Sequence, residues 1–387
     1  MIRKKYIKSN YFYKSKELII VYLSDSKASE TNIPYRLTEI ISKEYLDYKI
    51  IFKKLNFHNI IHILFIMIKS RIFNKVILIH SHHLKSLILN ILFKIISIIF
   101  GFKLINYHSF LCELKRFSNL KLVIFRISKI FVDEYICVSN DLKLSWGNFL
   151  KRNVHFIKIG ISKKDRDVIH SQSINHKKLI SKLGSKNKYF NVTLVGRLEE
   201  VKRPLLLFNI LQKVSLKKNQ KINIYFAGDG NLRLNLIKKI CEFNFLNKNK
   251  LNINIEYLGF INRNELFNLI SNTNLYINTS YSEGCLVTAM EFLSNPFCNV
   301  ILPDVKSIKD IYECKRSSFY PIHNENYLLN LFQSNLDDFY DDSKKESYFI
   351  YPAHFEEFIL ENSSKFLIDL YLDSALKFKK KISRKSS

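Results

Sequence analysis

From residue 17 the chain alternates between short β-branched apolar runs and longer stretches whose apolar residues recur at helical spacing. "ELIIVYL" (17–23) and "DYKIIF" (47–52) predict strands, and "NIPYRLTEIISKEY" (32–45) between them predicts a helix. The alternation continues through an apolar helix at 58–70, the strand "KVILIHS" (75–81), a helix at 84–99 and the strand "FKLINYHS" (102–109). "EYICVSN" (134–140) and "VHFIKIGI" (154–161) close this half. Strands separated by helices of this length imply βαβ units and a parallel sheet.

Residues 164–188 lose apolar strand character and carry charge and serine. A second alternating series then opens with "YFNVTLVGRL" and runs through "INIYFAG", "INIEYLGF", "LYINTS", "CNVILP" and "SSFYPI". Pro204 sits where a helix would start, at the position that tolerates a missing N–H. The expected fold class is α/β, with two Rossmann-like domains facing a cleft. The N-terminal domain is placed at 1–165, an inter-domain connection at 166–188 and the second domain at 189–354. A C-terminal helix with a basic tail, 355–387, is expected to cross back to the first domain.

Polar residues of the second half gather at predicted strand ends, where open parallel sheets bind ligands. Gly196-Arg197 follows one strand, with Lys202 five residues on. Gly228-Asp229-Gly230, Gly259-Phe260 and Ser280 to Glu283 follow three others. The segment "SYSEGCLVTAMEFL" (280–293) carries two glutamates, Glu283 and Glu291, separated by seven residues. Eight residues of helix rise cover about 12 Å, so the two carboxylates suit opposite ends of an elongated ligand. Arg197 and Lys202 suit a diphosphate, the first as a fork and the second as a point charge. The amides of Gly284, Cys285 and Leu286, at a helix start, favour the same anion. A carboxylate accepts both hydroxyls of a ribose diol, which suits Glu291, while Glu283 suits sugar hydroxyls.

Composition adjusts this picture at three points. A chain of 387 residues exceeds one comfortable core. Lys and Arg outnumber Asp and Glu by 61 to 34, for a net charge of +27, which raises the question of nucleic acid or an anionic membrane. The basic residues are interleaved with Ile, Leu and Phe, and no zinc-finger or RNP-type signature appears, so nucleic acid is not expected and an anionic membrane surface is. The six cysteines show no CxxC pair and read as reduced thiols. No signal peptide is expected, because the N-terminal apolar run is short and lacks a small-residue cleavage site. "NIIHILFIMI" (59–68) is too short to span a bilayer, and Lys85, Asn90 and Lys94 interrupt 84–102. An interfacial or buried helix fits both stretches better.

"GRLEEVK", "FAGDGNLR", "LGFINRNELFNLISNTNLYINTSYSEGCLVTAME" and the final "FLIDLY" together resemble the nucleotide-binding half of GT-B glycosyltransferases of family 4, the retaining enzymes with an E-x7-E element. "ILIHSHH", "INYHSF" and "ICVSN" extend the resemblance more loosely into the first half. The resemblance implies that Arg197 and Lys202 bind the donor diphosphate, Glu283 the transferred sugar and Glu291 the ribose. It places the base against the backbone of Gly259 and Phe260, and His108 in the cleft beside the reacting centre. It further implies a UDP- or GDP-linked sugar donor, a glycan or lipid-linked saccharide acceptor, no metal, no cofactor, and a cytoplasmic enzyme at the inner membrane face. One of His80, His82 and His83 is a candidate for the acceptor side. The chain departs from the family at Leu286, where a small residue or Pro is usual, and at Ser307, where Gly is frequent. It also lacks any Gly in 24–36. A nucleotide-sugar hydrolase or epimerase on the same scaffold is an alternative, separable by product formation without acceptor. A non-enzymatic membrane or nucleic-acid binder is the other, and it gives no reason for the paired glutamates.

Overall fold

The computed structural model describes residues 18–24, 33–45, 48–54, 56–110, 113–183, 188–246, 252–283, 285–341 and 351–383. Among the described residues the apolar runs form two six-stranded sheets, and every strand pairing is parallel. The first contains β1 (Leu18–Ser24), β2 (Lys49–Lys54), β3 (Val76–Ser81), β4 (Leu104–Phe110), β5 (Glu134–Cys137) and β6 (Val154–Phe156), in the order β2-β1-β3-β4-β5-β6. The second contains β7 (Phe190–Val195), β8 (Ile222–Ala227), β9 (Ile253–Gly259), β10 (Leu275–Ile277), β11 (Asn299–Pro303) and β12 (Ser317–Tyr320), in the order β12-β11-β10-β7-β8-β9. Every residue of β1, β3 and β4 is buried. Helices cover both faces of such a sheet, which is why these strands read as unbroken apolar runs and not as alternation.

Around the first sheet lie α1 (Ile33–Glu44), α2 (Phe57–Ile72), α3 (Leu84–Phe100), α4 (Asn119–Ser128) and α5 (Asn140–Leu150). Local chemistry sets their ends. Asn56 caps α2 by accepting from Asn59 N at 2.8 Å, and Gly101 closes α3 in the left-handed conformation at φ 67°. Around the second sheet lie α6 (Lys163–Leu183), α7 (Leu206–Leu211), α8 (Arg233–Leu246), α9 (Arg263–Ser271), α10 (Val287–Leu293), α11 (Lys306–Tyr312) and α12 (Glu325–Tyr340). Asn262 starts α9 with a capping box: it accepts from the amides of Asn264 and Glu265, and Glu265 accepts from the Asn262 amide at 2.6 Å.

The predicted connection, 166–188, is largely helical. Residues 163–183 form the continuous helix α6, which packs on α9 through a narrow stripe that includes buried Ile169 and Ser173. Most of the rest of its surface is polar, although Leu179 is 55% exposed, and that hid the helix from an apolar-pattern reading. The predicted strand 154–161 is also shorter, since only Val154–Phe156 pairs. Beyond it the chain leaves the sheet to pass between the two halves. Gly160 is pressed there so closely that an added Cβ would stand 2.4 Å from Phe358 O and 2.5 Å from Met290 Sδ. The final helix α13 (Leu360–Ser383) lies on α1 and β4, and Leu360, Leu367, Ile368, Tyr371 and Ala375 join the first sheet's core.

Each sheet has one point where the chain reverses its direction of travel across the strands: between β1 and β3 in the first, and between β7 and β10 in the second. Connections run to opposite faces at such a point and leave a crevice at the carboxyl ends of the strands. The two crevices are where candidate site residues concentrate.

Candidate active site

After β7 the chain turns at Gly196 and lies directly on the turn that follows β8. Leu198 N donates to Asp229 O at 3.0 Å, and Leu232 N donates back to Leu198 O at 2.9 Å. Gly228, at φ 135°, approaches so closely that a Cβ would fall 1.9 Å from Gly196 O. Only glycine allows that approach. Gly228 N in turn donates to Gly259 O at 2.7 Å, so three consecutive strand ends are tied together. A crevice opens beside them, lined by Gly196, Arg197, Lys202, Asn278, Thr279 and Ser280 among others.

Lys202 is aimed into this region by the residue after it. Arg203 takes a left-handed conformation, φ 45°, and its guanidinium donates to Thr279 O at 2.7 Å and Ile322 O at 2.9 Å while stacking 4.0 Å over the Tyr281 ring. Thr279 Oγ1 donates back to Lys202 O at 2.7 Å. With its backbone clamped in this way, Lys202 turns its ammonium onto Glu283 Oε1. The same oxygen accepts from Ser280 Oγ at 2.6 Å and Asn278 Nδ2 at 3.4 Å, and Glu283 is 7% exposed.

The loop carrying Glu283 is anchored from three sides. Ser307 Oγ donates to Glu283 O at 2.7 Å, and Cys285 Sγ donates to Ile159 O at 3.2 Å. From the first domain, Arg116 donates through Nε to Ser282 Oγ at 3.1 Å and through Nη2 to Ser282 O. The Ser307 departure from the family pattern therefore has a specific task, holding the glutamate's own backbone. Arg116 carries no local signal in the sequence.

Other predicted residues fall differently. Arg197 lines the same crevice as Lys202, but its side chain is 67% exposed and its guanidinium pairs with Glu199 at 2.8 Å. Gly284 lies outside the described residues. Cys285 is held at the domain boundary, and burial pushes its thiol up to about 12. Leu286 is buried in the core of the second domain. The helix behind them, α10, has only seven residues and begins at Val287, so Glu291 sits barely past its first turn. Gly259 spends its carbonyl on Gly228, while Phe260 is 72% exposed. Glu291 is not a solvated helix residue. It is 4% exposed, and its Oε1 accepts from Arg263 Nη1 at 2.7 Å.

His108 does not open on the cleft. Its ring is 2% exposed, packs edge-on against Phe110 with centroids 4.9 Å apart, and is bonded through Nδ1 to Ser81 Oγ at 2.9 Å. The expectation of a cleft histidine at this position is corrected: β4 is covered on both faces, and the ring points into the cover. His80 is also satisfied, by the Tyr371 hydroxyl on Nδ1 and by Ser109 Oγ at 2.6 Å on Nε2. His82, directly after β3, differs from both. It stacks on His80 at 4.3 Å, is 5% exposed, and has no hydrogen-bond partner on either ring nitrogen among the described residues.

Burial holds all three rings in the neutral form, with His80 pushed down to about 3 and His82 and His108 well below the usual imidazole value. The folded chain therefore binds fewer protons than the unfolded chain below the ordinary imidazole range. Their stability contribution is complete above about pH 6.5 and is lost as pH falls. His82→Phe keeps the stack and removes two unpaired polar atoms. Calorimetric melts should show it above the parent at pH 7, with a wider gap at pH 5. A lower midpoint at both pH values would mean that His82 has a polar partner in solution.

A model of the family described as Glycosyl transferases group 1 matches residues 175–314, the span that holds Arg197, Lys202, Glu283 and Glu291. No curated protein matches the chain. Solved structures do. HepE from Anabaena, in complex with UDP and glucose, superposes with a TM-score of 0.66 at 14% identity, over 92% of this chain and 99% of that one. A glycosyltransferase from Rickettsia africae gives 0.67 at 15% identity over 94% and 99%. A sucrose-phosphate synthase from Thermosynechococcus elongatus gives 0.65 at 13% identity over 92% and 99%. The fold is GT-B. Within this GT-B chain the family match runs from α6 to the end of α11, so it takes in both the β7–β10 crevice and the Glu283 loop.

Proposed function

We propose that the protein is a retaining glycosyltransferase that moves a sugar from a nucleotide-diphosphate donor to a growing surface glycan, a lipid-linked polysaccharide or an O-antigen or capsule precursor. The observation that carries this is the meeting of Lys202 and Glu283 at the mouth of the β7–β10 crevice, where a ligand of an open α/β sheet is expected. Lys202 neutralises the donor diphosphate, and the exposed Arg197 side chain swings onto it from solvent. As the sugar–phosphate bond breaks, these cations stabilise the charge left on the diphosphate. Glu283, held by Ser280 and Asn278, takes the sugar hydroxyls. Glu291 offers Oε2 to the ribose diol, since its contacts among the described residues run through Oε1. The base rests on the backbone of Gly259 and Phe260. His108 supports the first sheet and touches no substrate in this scheme.

UDP is the nucleotide to try first, because the Anabaena HepE structures hold UDP and UDP-glucose. Calorimetry with UDP, GDP and ADP should detect UDP binding in the micromolar range. Silence from all three would end the donor reading, and sugar release from the donor without acceptor would favour a hydrolase.

The acceptor side is read as a membrane surface. Phe57, Ile61, Phe65, Ile68 and Ile72 follow helical spacing along one face of α2, and each is at least half exposed. Ile88, Leu92 and Ile99 extend the exposed apolar surface on α3, which shares a core with α2, and Leu120, Val123 and Ile127 do so on α4, which touches α3. Lys69 and Arg71 end α2. An apolar face of this size with basic neighbours suits an anionic bilayer surface. Among the described residues no helix is long and apolar enough to cross a membrane. Phosphatidylglycerol vesicles should pellet the protein at low salt, and Ile61→Glu with Phe65→Glu should move most of it to the supernatant. Equal pelleting of parent and variant would remove this face from the proposal.

A further inference from the structure

The buried carboxylate of Glu291 belongs to a set of four charges drawn from both domains. Arg36 on α1 and Arg263 at the start of α9 both donate to Asp165 Oδ2, at 2.5 and 2.8 Å. Arg263 also donates to Glu291 Oε1 at 2.7 Å, and Arg36 Nη1 stands 4.0 Å from that same oxygen. No member's side chain is more than 18% exposed. α1 packs in the core of the first sheet through Leu37 and Ile41, whereas α9 and α10 belong to the second, and Asp165 opens the helix α6 that joins them.

Two positive and two negative charges balance, but balance alone does not explain the set. Buried ion pairs are commonly no more stabilising than apolar residues of the same volume. The geometry restricts one group in particular. Arg263 clamps one oxygen of Glu291, and Asp165 holds Arg263 in place while itself held by Arg36. The chain of contacts therefore ends on the carboxylate and begins in the other domain.

We propose that Arg36 is a positioning residue for the nucleotide: acting through Asp165 and Arg263, it fixes Glu291 Oε1 so that the second oxygen is left for the ribose diol. This rests on the reading of Glu291 as the ribose acceptor. It makes nucleotide affinity depend on how the first domain sits against the second, because separating them withdraws Arg36 and loosens the carboxylate.

The test compares UDP with 2′,3′-dideoxy-UDP by calorimetry on the full chain. Arg36→Met, similar in length but uncharged, should bind UDP roughly five- to tenfold more weakly than the parent, with the dideoxy analogue unchanged. Arg36→Lys keeps the charge without the fork and should recover part of the UDP affinity, and its melt guards against a folding artefact. If the parent discriminates between the two nucleotides and Arg36→Met does so to the same degree, Arg36 has no positioning role. Equal losses for both nucleotides would mark a purely structural one. If the parent itself fails to discriminate, the ribose reading of Glu291 falls, and this inference with it.

Discussion

Glu283→Gln is expected to lower the rate of transfer by about two to three orders of magnitude while UDP binding holds or tightens slightly. Gln keeps the size of the side chain, and its amide oxygen can still accept from Ser280 Oγ, which lies 2.6 Å from the carboxylate in the parent. What disappears is the negative charge. That charge now engages the Lys202 ammonium, so its removal frees the lysine for the diphosphate and UDP gains or loses little. The donor sugar, in the proposed arrangement, loses the carboxylate that takes its hydroxyls. The folding penalty is small, because Lys202 is 21% exposed and can reach water when its partner is neutralised. The measurement is the initial rate of transfer beside UDP affinity for the same preparations. A variant within tenfold of the parent rate would show that Glu283 only tethers Lys202.

The central strands of the first sheet were legible because both of their faces are covered, which writes them as largely apolar runs such as "LIIVYL", whereas β8 and β9 showed through β-branched alternation. The glycines at strand ends were legible too, and the close contact of Gly228 on Gly196 explains why. Helix α6 was not, since only a stripe with Ile169 and Ser173 is buried and its composition reads as a linker. Helices α4 and α5 also escaped, because short amphipathic helices between strands carry little apolar signal. Lys202 and Glu283 were proposed as site residues from their places at strand ends, and the structure brings their side chains into contact. The partners that give Glu283 and Glu291 their setting were not, because Arg116, Arg36, Asp165 and Arg263 lie far from them in sequence and meet them only through the packing of two domains. His108 shows the reverse error: a histidine near a strand end looks functional, and only the fold decides which way its ring points.

Glu291→Ala should weaken UDP about tenfold to a hundredfold, the value of a hydrogen bond to a charged acceptor, and the structure adds a larger expectation for stability. The substitution leaves Arg36 and Arg263 buried against Asp165 alone, two positive charges and one negative, with Arg263 deprived of its 2.7 Å contact. Removing one member of a buried ionic set costs about 3–5 kcal/mol, because the remaining charge is neither solvated nor paired. For a domain of this size that corresponds to a fall in the melting midpoint of roughly 6–20 °C. The sign can be checked within the same set. Adding Arg36→Met to Glu291→Ala leaves one arginine and one aspartate 2.8 Å apart and should recover part of the lost midpoint. If Glu291 were an ordinary solvated residue of α10, neither the midpoint nor the recovery would appear, and the alanine variant would melt with the parent. A fall in the midpoint without recovery in the double variant would mean that the cost arises from the cavity left by the side chain and not from the unbalanced charge.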